Sequence, residues 1–452
     1  MAFDIGTRRE LFLYEFLIEK RDHVDLRLHH PVPREVAIVH DAPWGGNTCF
    51  YHTVFKDGDR YRMYHRGSHS ADSHAVSHQV VCYAESADGK QWEKPELGIV
   101  EFEGSEQNNI IWDAEIGAHN FAPFKDTNPD CRPQALYKAM GSKGMEALYA
   151  FGSNDGIHWS LLQDEPVITD GGFDSQNLAF WDAERGCYVE YHRDTRKHGD
   201  EKVRDIKTST SDDFINWSQP VWLDYGDAPI EHLYINQIAP YYRAPHIYMG
   251  FPKRYTPKRT ESDGGTDGLS DSVFMSSRDG LNFRRWGEAF IRPGLQKERW
   301  INRNNMIAWG PVETEADVPG MPPEISLYSM EGYYRGESCQ LRRFTMRLDG
   351  FVSANAPRRG GELLTKPLVF SGSELSLNVS TSAAGSVRVE IQDEAGQAVE
   401  GFALENCEEI YGDDLDRVVR WKKSSDTSAL SGSPVRLRFV MDDADLFSIC
   451  WS

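Results

Sequence analysis

A short tag recurs along this 452-residue chain: an Asp, usually followed by Gly, on the exit from a strand pattern, with an aromatic close behind. The copies read Ser86-Ala87-Asp88-Gly89-Lys90-Gln91-Trp92, Ser153-Asn154-Asp155-Gly156-Ile157-His158-Trp159, Ser211-Asp212-Asp213-Phe214-Ile215-Asn216-Trp217, Ser277-Arg278-Asp279-Gly280-Leu281-Asn282-Phe283 and, more loosely, Arg347-Leu348-Asp349-Gly350-Phe351. The Asp positions step by 67, 58, 66 and 70 residues. A period of this size marks a repeated supersecondary unit. Each unit is rich in strand patterns, so the spacing predicts one propeller blade per repeat and five in all. Such a propeller has a funnel at its axis, into which the inner strands present their residues.

Around that frame the chain divides into three segments. Residues 1–34 are a lead-in containing an amphipathic helix over 7–20, capped by Thr7 with Glu10 three residues on. Residues 35–353 are the propeller. Blade one is placed at Val39–Trp92, two at Asn109–Trp159, three at Phe173–Trp217, four at Leu233–Phe283 and five at Asn304–Phe351. The turn Lys56-Asp57-Gly58-Asp59 and the run Asp182-Ala183-Glu184-Arg185-Gly186 read as hairpins between alternating strands. Residues 354–452 carry short strands of small and β-branched residues, and predict a C-terminal β-sandwich. The fold class is therefore all-β.

A net charge of −21 disfavours a nucleic-acid or anionic-membrane partner. Seven cysteines without a Cys-x-x-Cys pair argue against a disulfide framework or a thiolate zinc site. No stretch reaches about 18 apolar residues, and the first ten residues lack an apolar signal core. The expected location is the cytoplasm, unless a leader has been removed. The oligomeric state is open.

Two sets of loops open on one face of a propeller. The leads into the inner strands read His40-Asp41-Ala42-Pro43-Trp44, Ala118-His119-Asn120-Phe121, Phe173-Asp174-Ser175-Gln176-Asn177, Glu231-His232-Leu233-Tyr234-Ile235-Asn236 and Asn302-Arg303-Asn304-Asn305. All five are polar where a buried strand should be apolar, which predicts a shared polar funnel. The second set carries Arg66, Arg193, Arg254 and, after Glu331-Gly332-Tyr333-Tyr334, Arg335. Arginines recurring in register suit bidentate capture of carboxylate or sulfate oxygens. Glycoside hydrolysis needs one acid and one carboxylate. Asp41, Asp174, Glu231 and His232 are the catalytic candidates. Asp271 and Glu331 are further carboxylates on the second loops. Trp44, Arg66, His119, Asn120, Gln176, Arg193, Asn236, Arg254, Asp271, Arg303, Asn304 and Glu331 are the expected substrate-binding residues.

With these residues in view, the chain resembles the five-bladed propeller glycoside hydrolases of families 32, 43, 68 and 117. Asp41-Ala42-Pro43-Trp44, Phe173-Asp174-Ser175-Gln176-Asn177, Ala244-Pro245-His246-Ile247-Tyr248 and Arg303-Asn304-Asn305 also resemble uncharacterised bacterial family-32-like proteins. The C-terminal segment is similar to the family 32 C-terminal module. The resemblance implies that Asp41 holds the first-blade Asp position of families 32 and 43, and that Asp174 stands where their third blade has a Glu acid. His119-Asn120 occupies the second-blade position with no carboxylate, and the Asn-Asp-Pro-like and Arg-Asp-Pro signatures of family 32 are absent. Asp41, Asp174 and His232 match by position the two Asp and His of family 117. This implies an inverting, exo-acting hydrolase of a marine-type or sulfated oligosaccharide. No cofactor is expected; the resemblance allows a structural metal at the axis, to which His119 and His232 could contribute. Phosphorolysis on the same scaffold and non-catalytic carbohydrate binding are the alternatives.

Overall fold

The computed structural model describes residues 2–71, 76–260, 268–422 and 424–452. The chain divides into two compact units: Pro31–Tyr241 with Pro245–Met346, and Met1–His30 with Tyr242–Ala244 and Arg347–Ser452.

The first unit is a five-bladed propeller of antiparallel sheets. Blade one is Phe50–Asp57, Arg60–Gly67, Val80–Ser86 and Ile110–Trp112. Blade two is Ala122–Lys125, Tyr137–Lys143, Ala147–Ser153 and Ser160–Leu161. Blade three is Leu178–Asp182, Cys187–His198, Glu201–Ser211 and Val221–Trp222. Blade four is more broken, with six segments between His232 and Ile291. Both hairpins read from the sequence are present, with Gly58 at φ 64° and Gly186 at φ 65° in their turns.

Blade five corrects the assignment of blade one. Its strands are Val312–Thr314, Glu324–Glu331, Gln340–Arg347 and then Val32–Val39. Val32–Val39 is thus the outermost strand of blade five, with Val39 opposite Gln340 and Ile38 opposite Leu341. The inner strand of blade one begins only at Phe50, after a loop over 40–49. Closure by the N-terminal strand supplies hydrogen-bond partners that an open last blade would lack.

The tags are the turns from third to fourth strands. In the first four copies the Ser hydroxyl accepts from the amide three residues on, at 2.9–3.0 Å. The Asp Oδ1 accepts the two amides that follow, at 2.7–3.0 Å. Three tags also tie neighbouring blades. Tyr64 donates to the carbonyl of Gly156, and Tyr191 to that of Gly280, at 3.0 and 2.8 Å; Tyr328 donates to that of Gly89. Each of these glycines has φ between 72° and 79°, and a Cβ at Gly156 would stand 2.8 Å from the Tyr64 hydroxyl. The fifth copy is a different feature. Asp349 is buried at φ 61°, pairs with Arg243 and accepts from Asn378. Because blade five takes its fourth strand from the N-terminus, its third strand has no such turn to make.

The second unit contains an eight-stranded sheet dominated by Leu375–Gln392 and Arg436–Trp451, and a parallel pair, Phe3–Gly6 with Leu368–Phe370. The expected helix over 7–20 is absent: the segment holds Glu10–Leu11 and the start of Ile18–Asp22 as strands. Residues 10–13 are buried consecutively, which one face of a helix cannot achieve. Phe12, Leu17 and Ile18 fill a core built from the two long strands, and that packing overrides the local periodicity.

Candidate functional site

The axis is laced by amides. Gln176 donates to the carbonyls of Tyr51 and His52 and to Thr53 Oγ1, at 2.9–3.3 Å. Gln237 donates to Gln176 Oε1 at 2.9 Å and to the Ile307 carbonyl at 2.8 Å. Blades one, three, four and five are so joined at their inner strands. Asn120 joins blade two to the lead into blade three, donating to the carbonyls of Phe173 and Ser175, both at 2.7 Å. Asn236 donates to the Tyr191 carbonyl at 3.3 Å, and Asn304 Oδ1 accepts from the Tyr333 amide at 3.0 Å. Gln176, Asn120, Asn236 and Asn304 are all fully buried, and their contacts hold the backbone.

Asp174 and His119 form the centre of the funnel. Arg66 Nη1 lies 3.3 Å from His119 Nδ1, and a guanidinium can only donate. The ring proton therefore sits on Nε2 and is donated to Asp174 Oδ1 at 3.0 Å. Gln79 Oε1 lies 3.2 Å from the same Nδ1, an acceptor facing an acceptor in this tautomer, and a flip of that carboxamide brings its N–H₂ to the ring instead. Burial acts to raise the Asp174 carboxyl, but the His119 hydrogen bond and the charges of Arg193 and Arg66 outweigh it and bring the pKa down to about 2. Burial lowers His119, with Arg66 adding to it and Asp174 opposing, so the ring is neutral at neutral pH.

Cations and phenols surround this pair. Arg66 donates to the Thr48 carbonyl at 2.9 Å and to the Tyr333 hydroxyl at 3.1 Å, and its guanidinium lies 5.2 Å from the Tyr51 ring centre. Arg193 donates twice to the Gly172 carbonyl and stacks 5.0 Å from the Tyr234 ring. Lys253 Nζ stands 4.2 Å over the same ring and donates to Asn302 Oδ1 at 2.9 Å. Arg303 lies 4.9 Å from the Tyr334 ring and 5.6 Å from that of Tyr333. The hydroxyls of Tyr51 and Tyr234 are 3.2 Å apart, and burial raises both phenols above their ordinary value. Tyr51, Arg303 and Tyr334 all have left-handed backbones, at φ 55°, 72° and 58°. Strained non-glycine backbone gathered in one group of side chains is a feature of functional sites.

The other expected residues lie apart from this group. Asp41 is 69% exposed and pairs with Lys94 at 2.6 Å, and that hydrogen bond, against the opposing effect of burial, holds its carboxyl below the usual range. It follows the closing strand of blade five rather than leading directly into blade one, so the residue presented from blade one is Tyr51. Trp44 donates its indole N–H to Asn109 at 2.5 Å and packs edge-on against Phe102. Glu231 pairs with Arg254 at 3.2 Å and with Arg285, and Arg254 grips Asp271 bidentately at 2.9 and 2.7 Å. This network borders a surface cleft with Arg196, Asp205 and Tyr225. His232 accepts from the Arg204 amide at 3.2 Å and is lowered by burial and by Arg204. Glu331 is buried against Arg342 at 2.9 Å and Arg299 at 3.7 Å. His119 and His232 share no group of three or more possible metal ligands among the described residues. The sequence reading missed Tyr51, Tyr234, Tyr333, Tyr334 and Lys253. The tyrosines other than Tyr51 stood inside the quoted loop phrases; Tyr51 was hidden by the ten-residue offset in blade one.

No family model matches the chain, and no curated protein matches it. Among solved structures, it is similar to a chain described as a glycoside hydrolase, at 13% identity and TM-score 0.48, over 73% of this chain and 93% of that one. It is also similar to the catalytic domain of a Coprinopsis cinerea GH62 alpha-L-arabinofuranosidase, at 11% identity and TM-score 0.44, over 70% and 97%. An N-acetylgalactosamine deacetylase from F. plautii is similar over 94% of this chain and 95% of its own, at 11% identity and TM-score 0.42. The chemistry of the funnel is read from this chain's own residues.

Proposed function

We propose that the chain is a glycoside hydrolase that removes end residues from an anionic oligosaccharide bound in the propeller funnel. The observation that carries the proposal is the Asp174 carboxylate, ionised at neutral pH, set among Arg66, Arg193, tyrosine rings and the neutral His119. Guanidinium groups suit sulfate or carboxylate on the sugar, and aromatic rings suit its apolar face. A carboxyl brought down to about 2 is a base or nucleophile, not a proton donor. The proton for the leaving oxygen is then assigned to the Tyr51–Tyr234 phenol pair, which burial keeps protonated. His119 acts through Asp174, as the positioning residue that keeps it ionised.

A second reading, non-catalytic binding of the same anionic glycan, draws support from the exposed position of Asp41, which leaves Asp174 without the expected partner carboxylate. The test is a screen of neutral, uronate-containing and sulfated oligosaccharides against the wild type and Asp174→Asn, with and without inorganic phosphate. The expected outcome is release of a terminal sugar without phosphate, reduced by about 10³-fold or more in Asp174→Asn. Release that requires phosphate would indicate phosphorolysis. Tight binding without release from any substrate would leave only the binding reading.

A further inference from the structure

Blade one encloses a second cluster, apart from the acid–base pair of the funnel. His40, Cys49 and His65 are all buried, and one ligating atom from each lies within 4.8 Å of the others. His65 Nδ1 faces the Arg66 carbonyl at 3.2 Å. A carbonyl only accepts, so Nδ1 carries the proton and Nε2 bears the free lone pair. His65 Nε2 has no hydrogen-bond partner among the described residues. His40 Nδ1 is likewise without a partner among them, while its Nε2 is 2.9 Å from His52 Nε2. Among the described residues these two imidazole nitrogens are thus buried without a hydrogen-bond partner, in rings whose centres lie 4.2 Å apart, and the His65 ring also faces the Cys49 thiol. Leaving such groups unsatisfied in the interior destabilises the fold.

We propose that His40, Cys49 and His65 bind a thiophilic divalent cation of the zinc type, as a structural site of the propeller. Nitrogen and thiolate ligands of this kind select zinc-like ions over calcium or magnesium. Ligand atoms on tetrahedral zinc lie about 3.3–3.8 Å apart, so any pair near the 4.8 Å limit closes by about an ångström on binding. The outer contacts are those a bound imidazole needs: the Arg66 carbonyl orients His65, and His52 orients His40. The Cys339 thiol lies beside the cluster, 3.2 Å from the Gly46 carbonyl and 3.5 Å from the Cys49 carbonyl, but outside the group whose ligating atoms lie within 4.8 Å of one another. Binding displaces the Cys49 proton to solvent as the thiolate forms. The ion would pin the loop over 40–49 to the strand Arg60–Gly67, one residue from Arg66 and two from Tyr51.

The test begins with the intact wild-type chain, purified without chelator from zinc-supplemented cells. Metal analysis after gel filtration is expected to give about one zinc per chain. Cobalt reconstitution of stripped protein is expected to give a thiolate-to-cobalt charge-transfer band, and added zinc to raise the melting temperature of the stripped protein. Cys49→Ser and His65→Gln are expected to lose the band and most of the zinc while keeping the strand-type circular dichroism of the wild type. Should either variant fail to fold, the wild-type stoichiometry and cobalt spectrum decide alone. Less than about 0.1 zinc per chain with no cobalt–thiolate band would overturn the proposal. So would folded variants that keep both the metal and the band.

Discussion

At the scale of single residues, the funnel turns on how one carboxylate is kept ionised. Asp174 has a folded-state pKa of about 2, below its ordinary value of 3.8. The sign follows from linkage: a lowered carboxyl pKa adds stability that is complete above the unfolded value and lost as pH falls through the folded one. Asp174 is therefore expected to stabilise the fold above pH about 4 and to give up that contribution between about 4 and 2. Acid unfolding followed by circular dichroism should be shallower across that window in Asp174→Asn than in the wild type. His119→Gln removes the largest stabilising contact of the carboxylate, so the acid limb of any activity should move to higher pH. An unchanged limb would show that Asp174 does not set it. Asp174, His119, Arg66 and Arg193 were legible in the sequence because each lies in a loop phrase repeated in register. Asp41 was misread for a reason of connection, since the chain before it belongs to another blade.

At the scale of the element, the tag is a turn that also serves as a tie between blades. Its Gly is required twice: for φ near +75°, and because a tyrosine hydroxyl of the adjacent blade lies against its face. Gly58, in the blade-one hairpin, has φ 64° but no atom within 4 Å of an added Cβ. Gly58→Ala is expected to cost about 1–2 kcal/mol, the backbone penalty alone. Gly156→Ala, whose Cβ would stand 2.6 Å from Arg62 Nη1 and 2.8 Å from Tyr64 Oη, should cost a further 1–3 kcal/mol or so. Equal costs in chemical denaturation would show that the tie contributes nothing. Phe214 holds the corresponding position in blade three at φ 68°, with its carbonyl accepting from Trp217 at 3.2 Å. The tag's Ser and Asp are short-range devices, so sequence alone could read them; the cross-blade tyrosines are long-range and could not be read.

At the scale of the whole molecule, the propeller unit depends on a seam. The closing strand Val32–Val39 meets Gln340–Arg347, and Arg343, fully buried, donates to Glu35, Glu324 and Asp317 across and beside that seam. Removing the guanidinium leaves carboxylates facing one another, although Glu35 and Asp317 are partly exposed and so partly screened. Arg343→Ala is expected to lower stability by about 2–4 kcal/mol. It should also make the segment 31–40 the first site of limited proteolysis; first cleavage elsewhere with unchanged stability would refute the role of the seam. The number of blades, their all-β character and a polar funnel were determined by sequence, because turn chemistry and strand alternation act over a few residues. The N-terminal segment was not legible, because its apolar spacing suits a helix as well as buried strands, and only the core it joins decides between them. Nor did the sequence show which strand closes the ring, since pairing Val39 with Gln340 bridges some 300 residues of chain. That closure moved Asp41 to the surface and Tyr51 into the funnel, and left the repeated tag, read first as five equal copies, as four turns and one buried Asp with another task.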